Sequence, residues 1–220
     1  MIEILIQYQQ LADIFALLLF AEDRVDQPAR TRTLSGPCQW GRSRGKMKQV
    51  LVTVGTTEFD ELIKAIDNEA FLVEMLKVGC EKLLIQYGRG VYLPSQLPQL
   101  APKYNITLTM FQFDPSLPTI ISESNLMIGH CGAGTILDAV TTHTKMVVVV
   151  NPTLQGNHQL ELAHVLEKHQ ICKITYPDHI LKCLQECFEE NMVHNMKLPS
   201  FPIMESERFA RTVESMFDFS

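Results

Sequence analysis

The chain has 220 residues, of which 46% are hydrophobic and 20% charged, with a net charge of −6 and an isoelectric point near 5.6. That length suits one domain, or one domain with an appendage, and the apolar share supplies a core and excludes disorder throughout. The acidic balance argues against a nucleic-acid surface, which needs clustered Lys and Arg.

Residues 1–46 differ from the rest. "IEILIQYQQLADIFALLLF" is apolar but carries Glu3 and Asp13, and it lacks the basic start and small-residue cleavage site of a secretory signal. Its uninterrupted apolar run, residues 14–21, is too short to span a bilayer. "DQPARTRTLSGPCQWGRSRGK" reads as a linker. An amphipathic surface helix is the sharper reading of the first stretch, but its polar face has almost no Lys or Arg. Residues 1–46 are therefore expected to be an extension, and residues 47–220 a domain. Cys38, Cys80, Cys131, Cys172, Cys183 and Cys187 form no CxxC and no zinc spacing, which points to reduced thiols in a cytosolic protein. Cys183 and Cys187 share a helix face, a spacing for packing and not for a disulfide.

From Lys48 the chain alternates. "QVLVTV" (49–54) predicts a buried strand. "FDELIKAIDNEAFLVEMLKVG" has helical spacing, with Leu62, Ile63 and Ile66 on one face and Gly79 near its stop. Strands follow at 82–87 and 106–113, a short helix in "PSLPTIISES", a strand at 125–129 and a helix in "GTILDAVTTH". Then come a strand at 145–150, a helix in "NHQLELAHVLEKHQ", a strand in "CKITY" and a helix in "DHILKCLQECFEENM". Near-continuous apolar strands alternating with helices predict an α/β fold, a doubly wound parallel sheet covered on both faces.

Ligands of such sheets bind beyond the carboxyl ends of the strands, where strand order reverses. "GHCGAGTILDA" (129–139) is a glycine-rich strand-to-helix turn. Glycines there let backbone N–H groups approach an anion, and the helix start adds partial positive charge, so a phosphate or diphosphate is the expected visitor. The turn is neither a GxGxxG nor a GxxxxGK[ST], so a P-loop NTPase is excluded. In "VTVGTTEFDEL", Gly55, Thr56 and Thr57 stand between strand and helix and can donate to phosphate oxygens. The plainer reading has Thr57 capping the helix, with Asp60 three residues on. "QYGRG" (86–90) and "NPTLQGNHQLELA" (151–163) stand at two further strand ends. Each alone reads as structure; all four on one edge point to a nucleotide-sugar site.

"VTVGTTEFDELI", "LIQYGRG", "IGHCGAGTILDA" and "NHQLELA", in this order and spacing, resemble a known family. It comprises the soluble donor-binding subunits of the eukaryotic UDP-N-acetylglucosamine transferase of dolichol-linked oligosaccharide synthesis. These are glycosyltransferase family 28 C-terminal domains; the donor half of the bacterial lipid II transferase is more distantly similar. The resemblance covers about residues 47–217. Cys131 replaces the usual Ala of an H-A-G-A-G core, and Asp138 stands where many relatives have Glu.

The resemblance implies a Rossmann-like sheet forming the donor half of a GT-B fold. It also implies inverting transfer of the second N-acetylglucosamine from UDP-GlcNAc to GlcNAc-diphospho-dolichol at the cytosolic face of the endoplasmic reticulum. Gly55, Thr56 and Thr57 would touch the donor phosphates or sugar. His130, Gly132, Gly134 and Thr135 would hold the diphosphate, Phe113 would lie by the uracil, and Asp138 would hold the ribose hydroxyls. Asn157 and Gln159 would address the sugar and diphosphate. The acceptor site and membrane anchor would come from a partner subunit, docked by a helix in "FPIMESERFARTVESMFDF". No DxD-type carboxylate pair stands at a strand end, so neither a metal nor a cofactor is expected. His130 is a weak candidate for the catalytic base, because it would sit on the leaving-group side. A non-catalytic nucleotide-sugar-binding or regulatory module with the same fold is the alternative. A dehydrogenase is disfavoured by the missing GxGxxG and its acidic partner.

Overall fold

A computed structural model of the chain describes residues 47–151, 163, 166–168 and 171–189. Six strands form one parallel sheet: β1 (Gln49–Thr53), β2 (Lys82–Gln86), β3 (Thr107–Phe111), β4 (Leu126–His130), β5 (Met146–Val149) and β6 (Cys172–Thr175). Their order is β3-β2-β1-β4-β5-β6. Among the described residues the α-helices with defined bounds are α1 (Asp60–Ile66), α2 (Glu69–Lys77), α3 (Leu97–Leu100), α4 (Leu117–Glu123) and α5 (Ala133–Thr141) between strands, and α6 (Ile180–Glu189) after β6.

Successive strand residues face opposite sides of the sheet, so each inner strand feeds two cores. Val50, Val52, Leu83, Ile85, Ile128 and Val149 join buried residues of α1, α2 and α6. Leu51, Leu84, Met127, Met146 and Val148 join Ile121 of α4 and Ile136, Ala139 and Val140 of α5. The fold is therefore the doubly wound α/β sheet that the sequence predicts. β3 departs from the expected full burial: every position is exposed or half-exposed, and Met110 is 37% exposed. It is the edge strand.

The stretch predicted as one helix over 59–79 is two. Asn68 ends one and starts the other: its side chain donates to Ala65 O at 2.8 Å and caps α2 by accepting from Phe71 N at 3.0 Å. Asp67 turns out of the helix to hold the next loop. Its carboxylate accepts from the Tyr92 hydroxyl at 2.7 Å and the N–H groups of Ser95 (2.8 Å), Gln96 (3.0 Å) and Leu97 (2.9 Å), so it caps α3. Burial opposes its ionisation, but these donors outweigh burial and hold its carboxyl below the ordinary carboxylate range. Asp67→Ala should lower unfolding free energy by about 3 kcal/mol, because buried N–H groups lose a charged acceptor; urea denaturation measures it.

The described cysteines Cys80, Cys131, Cys172, Cys183 and Cys187 are buried and form no disulfide among the described residues. Cys183 and Cys187 lie with sulfurs 3.9 Å apart inside the core, as their spacing predicts. No helix among the described residues is long and apolar enough to cross a membrane. Ala163 and residues 166–168 are helical, within the helix expected after β5. The extension 1–46, the positions of Asn157 and Gln159, and the expected docking helix lie outside the described residues.

Candidate functional site

The chain leaves β1 toward β2 on one side and β4 toward β5 on the other, so strand order reverses between β1 and β4. In such sheets ligands bind there, beyond the carboxyl ends of the strands. The loop after β1 carries Gly55, Thr56 and Thr57; β4 ends at His130, and Cys131 and Gly132 lead into α5. In register, Thr53 of β1 lies between Gln86 of β2 and Gly129 of β4.

His130 is 5% exposed, and its Nδ1 is buried with no hydrogen-bond partner. Burial pushes its pKa down to about 4, so the imidazole is neutral at neutral pH. Two glycine backbones hold the ring. A Cβ on Gly132 would stand 2.2 Å from His130 Nε2, and one on Gly55 2.6 Å from His130 Cε1 and 3.3 Å from Thr135 Oγ1. Gly55 also has a left-handed φ of 63°. The first service of these glycines is thus to admit the histidine, a purpose the sequence reading had not given them.

Gly132 begins α5 with no side-chain cap. The N–H groups of Ala133, Gly134 and Thr135 therefore have no intrahelical acceptor and form the positive end of a nine-residue helix. An unpartnered buried imidazole beside an uncapped helix start can receive an anion. An anion there would also raise the imidazole's pKa toward protonation.

The Gly55 N–H is already engaged, by Thr53 Oγ1 at 3.1 Å and Gln86 Oε1 at 3.0 Å. What the loop presents is Thr56, exposed, and Thr57, half-exposed. Thr57 is not the helix cap: α1 starts at Asp60 with no side-chain cap, and the Thr57 hydroxyl donates to Val54 O at 2.8 Å. Asp60 in turn accepts from the N–H groups of Val91 (3.3 Å) and Tyr92 (3.2 Å), securing the loop after β2. Arg89 N donates to Thr57 O at 3.0 Å, so "QYGRG" braces the first loop.

Asp138 lies four residues beyond Gly134 on the half-exposed side of α5. Burial raises its carboxyl pKa, and no hydrogen bond or ion pair holds the carboxylate among the described residues. The structure thus brings together Gly55, Thr56, Thr57, His130, Gly132, Gly134 and Thr135, with Asp138 a turn further along. Phe113, 49% exposed, lies past the end of β3, two strands from β1. Cys131 is buried in the core and burial pushes its thiol up to about 12, so it is a neutral thiol at neutral pH. Gln86 was missed. A glutamine inside the apolar run "KLLIQY" was the available signal, since a buried amide must find partners.

The family model of the glycosyltransferase family 28 C-terminal domain matches residues 49–213. The chain belongs to that family. Among curated relatives of this family 28 chain, the human UDP-N-acetylglucosamine transferase subunit ALG13 is 38% identical over 122 residues, covering 56% of this chain. The chain spans only 10% of that human protein's length. The solution structure of ALG13 matches with a TM-score of 0.53 at 22% identity, over 76% of this chain and 95% of that one. MurG of Acinetobacter baumannii matches with a TM-score of 0.54 at 17% identity, over 90% of this chain and 53% of MurG. At those identities the structural matches speak for the fold: this family 28 domain has the architecture of about half of MurG.

Proposed function

We propose that the chain is the donor-binding subunit of an inverting N-acetylglucosaminyltransferase. It binds UDP-GlcNAc and, with a membrane-anchored partner, adds the second sugar to GlcNAc-diphospho-dolichol at the cytosolic face of the endoplasmic reticulum. The observation that carries this is the unpartnered buried His130 Nδ1 beside the uncapped start of α5, at the β1/β4 switch point. The human relative is a UDP-N-acetylglucosamine transferase subunit, which supports the donor and the need for a second chain. Residues 47–220 are the donor unit in this reading.

Transfer forms a bond from an acceptor hydroxyl oxygen to the sugar carbon and breaks that carbon's bond to the β-phosphate oxygen; the electron pair leaves with UDP, and the hydroxyl proton passes to a base on the acceptor side. The α5 N–H groups and His130 stabilise that departing charge, and Thr56 and Thr57 add hydroxyl donors. His130 beside the leaving group serves the diphosphate and not the acceptor proton. In this reading Phe113 takes the uracil and Asp138 the ribose, and Asn157 and Gln159, outside the described residues, are assigned to the sugar and diphosphate.

The test is UDP-GlcNAc transfer to a lipid-diphosphate acceptor, with and without a membrane fraction carrying the partner, beside UDP titration calorimetry. The expected result is UDP binding by the chain and transfer only with the partner. Binding with no transfer under either condition would leave the regulatory-module alternative, and no UDP binding would sink the site. Asp138→Ala should weaken UDP and UDP-GlcNAc alike by about 1.5–3 kcal/mol, the cost of lost charged hydrogen bonds. Asp138→Glu should bind normally. Equal misfolding of both variants, with no binding defect, would make Asp138 structural.

A further inference from the structure

We infer that Gln86 is a positioning residue for the donor site: its amide sets the Gly55 loop against His130 and ties it to the segment carrying Phe113. The inference rests on the reading above, that this site takes UDP.

Gln86 ends β2 and is 2% exposed. Every polar position of its amide is used. Oε1 accepts from Gly55 N at 3.0 Å and from the Thr53 hydroxyl, while Nε2 donates to Gly55 O at 2.7 Å and Gln112 O at 3.2 Å. One side chain therefore closes both backbone groups of Gly55, the residue whose backbone abuts His130 and Thr135. The same amide reaches the segment after β3, next to Phe113.

Gly55 has the widest backbone freedom of any residue type, yet it must hold a left-handed φ with His130 packed on it. The glutamine amide fixes that conformation without touching the ligand. Gln has the needed chemistry because it both accepts and donates at one end. Glu keeps the acceptor half but turns a carboxylate oxygen toward two carbonyls. Met fills the volume and leaves the Gly55 and Gln112 groups without their partner.

Full-length Gln86→Glu, Gln86→Met and the milder Thr53→Val would be compared with wild type by amide and imidazole NMR. Titration calorimetry with UDP and with uridine would accompany it. Gly55 and Gln112 amide signals and the His130 ring signals should move, with faster Gly55 exchange, while the exchange of the β4 and β5 amides stays slow. UDP affinity should fall by about tenfold or more in the Gln86 variants, and less for Thr53→Val. Uridine affinity should fall less than UDP affinity, because the amide makes two bonds to Gly55 on the diphosphate side and one to Gln112 beside Phe113. A lower melting temperature with unchanged Gly55 and His130 signals, or with an unchanged UDP-to-uridine ratio, would overturn the inference. Should the Gln86 variants not fold, Thr53→Val decides it by the same signals. If wild type itself binds no UDP, the functional reading fails, and the Gly55 and His130 signals still decide the positioning role.

Discussion

Gly55→Val should lose UDP binding and cost about 2–6 kcal/mol of stability. Two independent penalties add. A β-branched residue at φ 63° is strained by roughly 1–3 kcal/mol. Its Cβ would start 2.6 Å from His130 Cε1, an overpacking of a further ~1–3 kcal/mol. Relieving that contact means moving the imidazole or the loop, and each belongs to the anion site proposed above. Gly79→Val separates the two effects. Gly79 has a φ of 77° and lies between α2 and β2, at the opposite edge of the sheet. It should suffer the strain alone, losing ~1–3 kcal/mol while binding UDP as wild type does. Urea denaturation and UDP calorimetry on both variants decide the matter. A folded Gly55→Val protein with wild-type UDP affinity would remove the first loop from the donor site.

What could be read from the sequence was local. β1, β2, β4 and β5 announce themselves because a strand buried on both faces is apolar at most positions, and Val50 to Val54, Thr53 apart, or Met146 to Val150 admit little else. The split between α1 and α2 was not legible. The stretch 59–79 reads as one helix with Leu62, Ile63 and Ile66 on one face, and the break comes from Asp67 turning to serve Tyr92, Ser95, Gln96 and Leu97. The same limit applies to the site. A glycine-rich turn after β4 is visible in the sequence, and so is the threonine pair after β1. That Gly55 and Gly132 grip one imidazole from two loops is a tertiary fact. So is the bond from Gln86 to Gly55, across 31 residues. The polar residue in "KLLIQY" marked a question, and only the neighbouring strand supplied the answer.

His130 should give the fold a specific acid sensitivity. Its pKa is near 4 in the folded protein against an ordinary 6.5, because burial disfavours the imidazolium. Between those values the unfolded chain binds a proton that the folded one refuses. The stabilisation is therefore complete above about pH 6.5, is lost as pH falls toward 4, and declines no further below that. At ~1.4 kcal/mol per pKa unit, the loss approaches about 3 kcal/mol. Other carboxylates also titrate in this window, so the comparison must be with His130→Gln, which lacks the group. The variant should be less stable at pH 7, having lost a packed ring, and should close on wild type by about 3 kcal/mol by pH 4. UDP should act in the opposite direction: its diphosphate favours the imidazolium, so saturating UDP should flatten the wild-type slope and leave the variant's unchanged. Urea denaturation at intervals from pH 7 to 4, with and without UDP, tests both statements. A stability gap between the two proteins that does not vary with pH would show that the folded state accepts the proton, and that His130 is not held neutral.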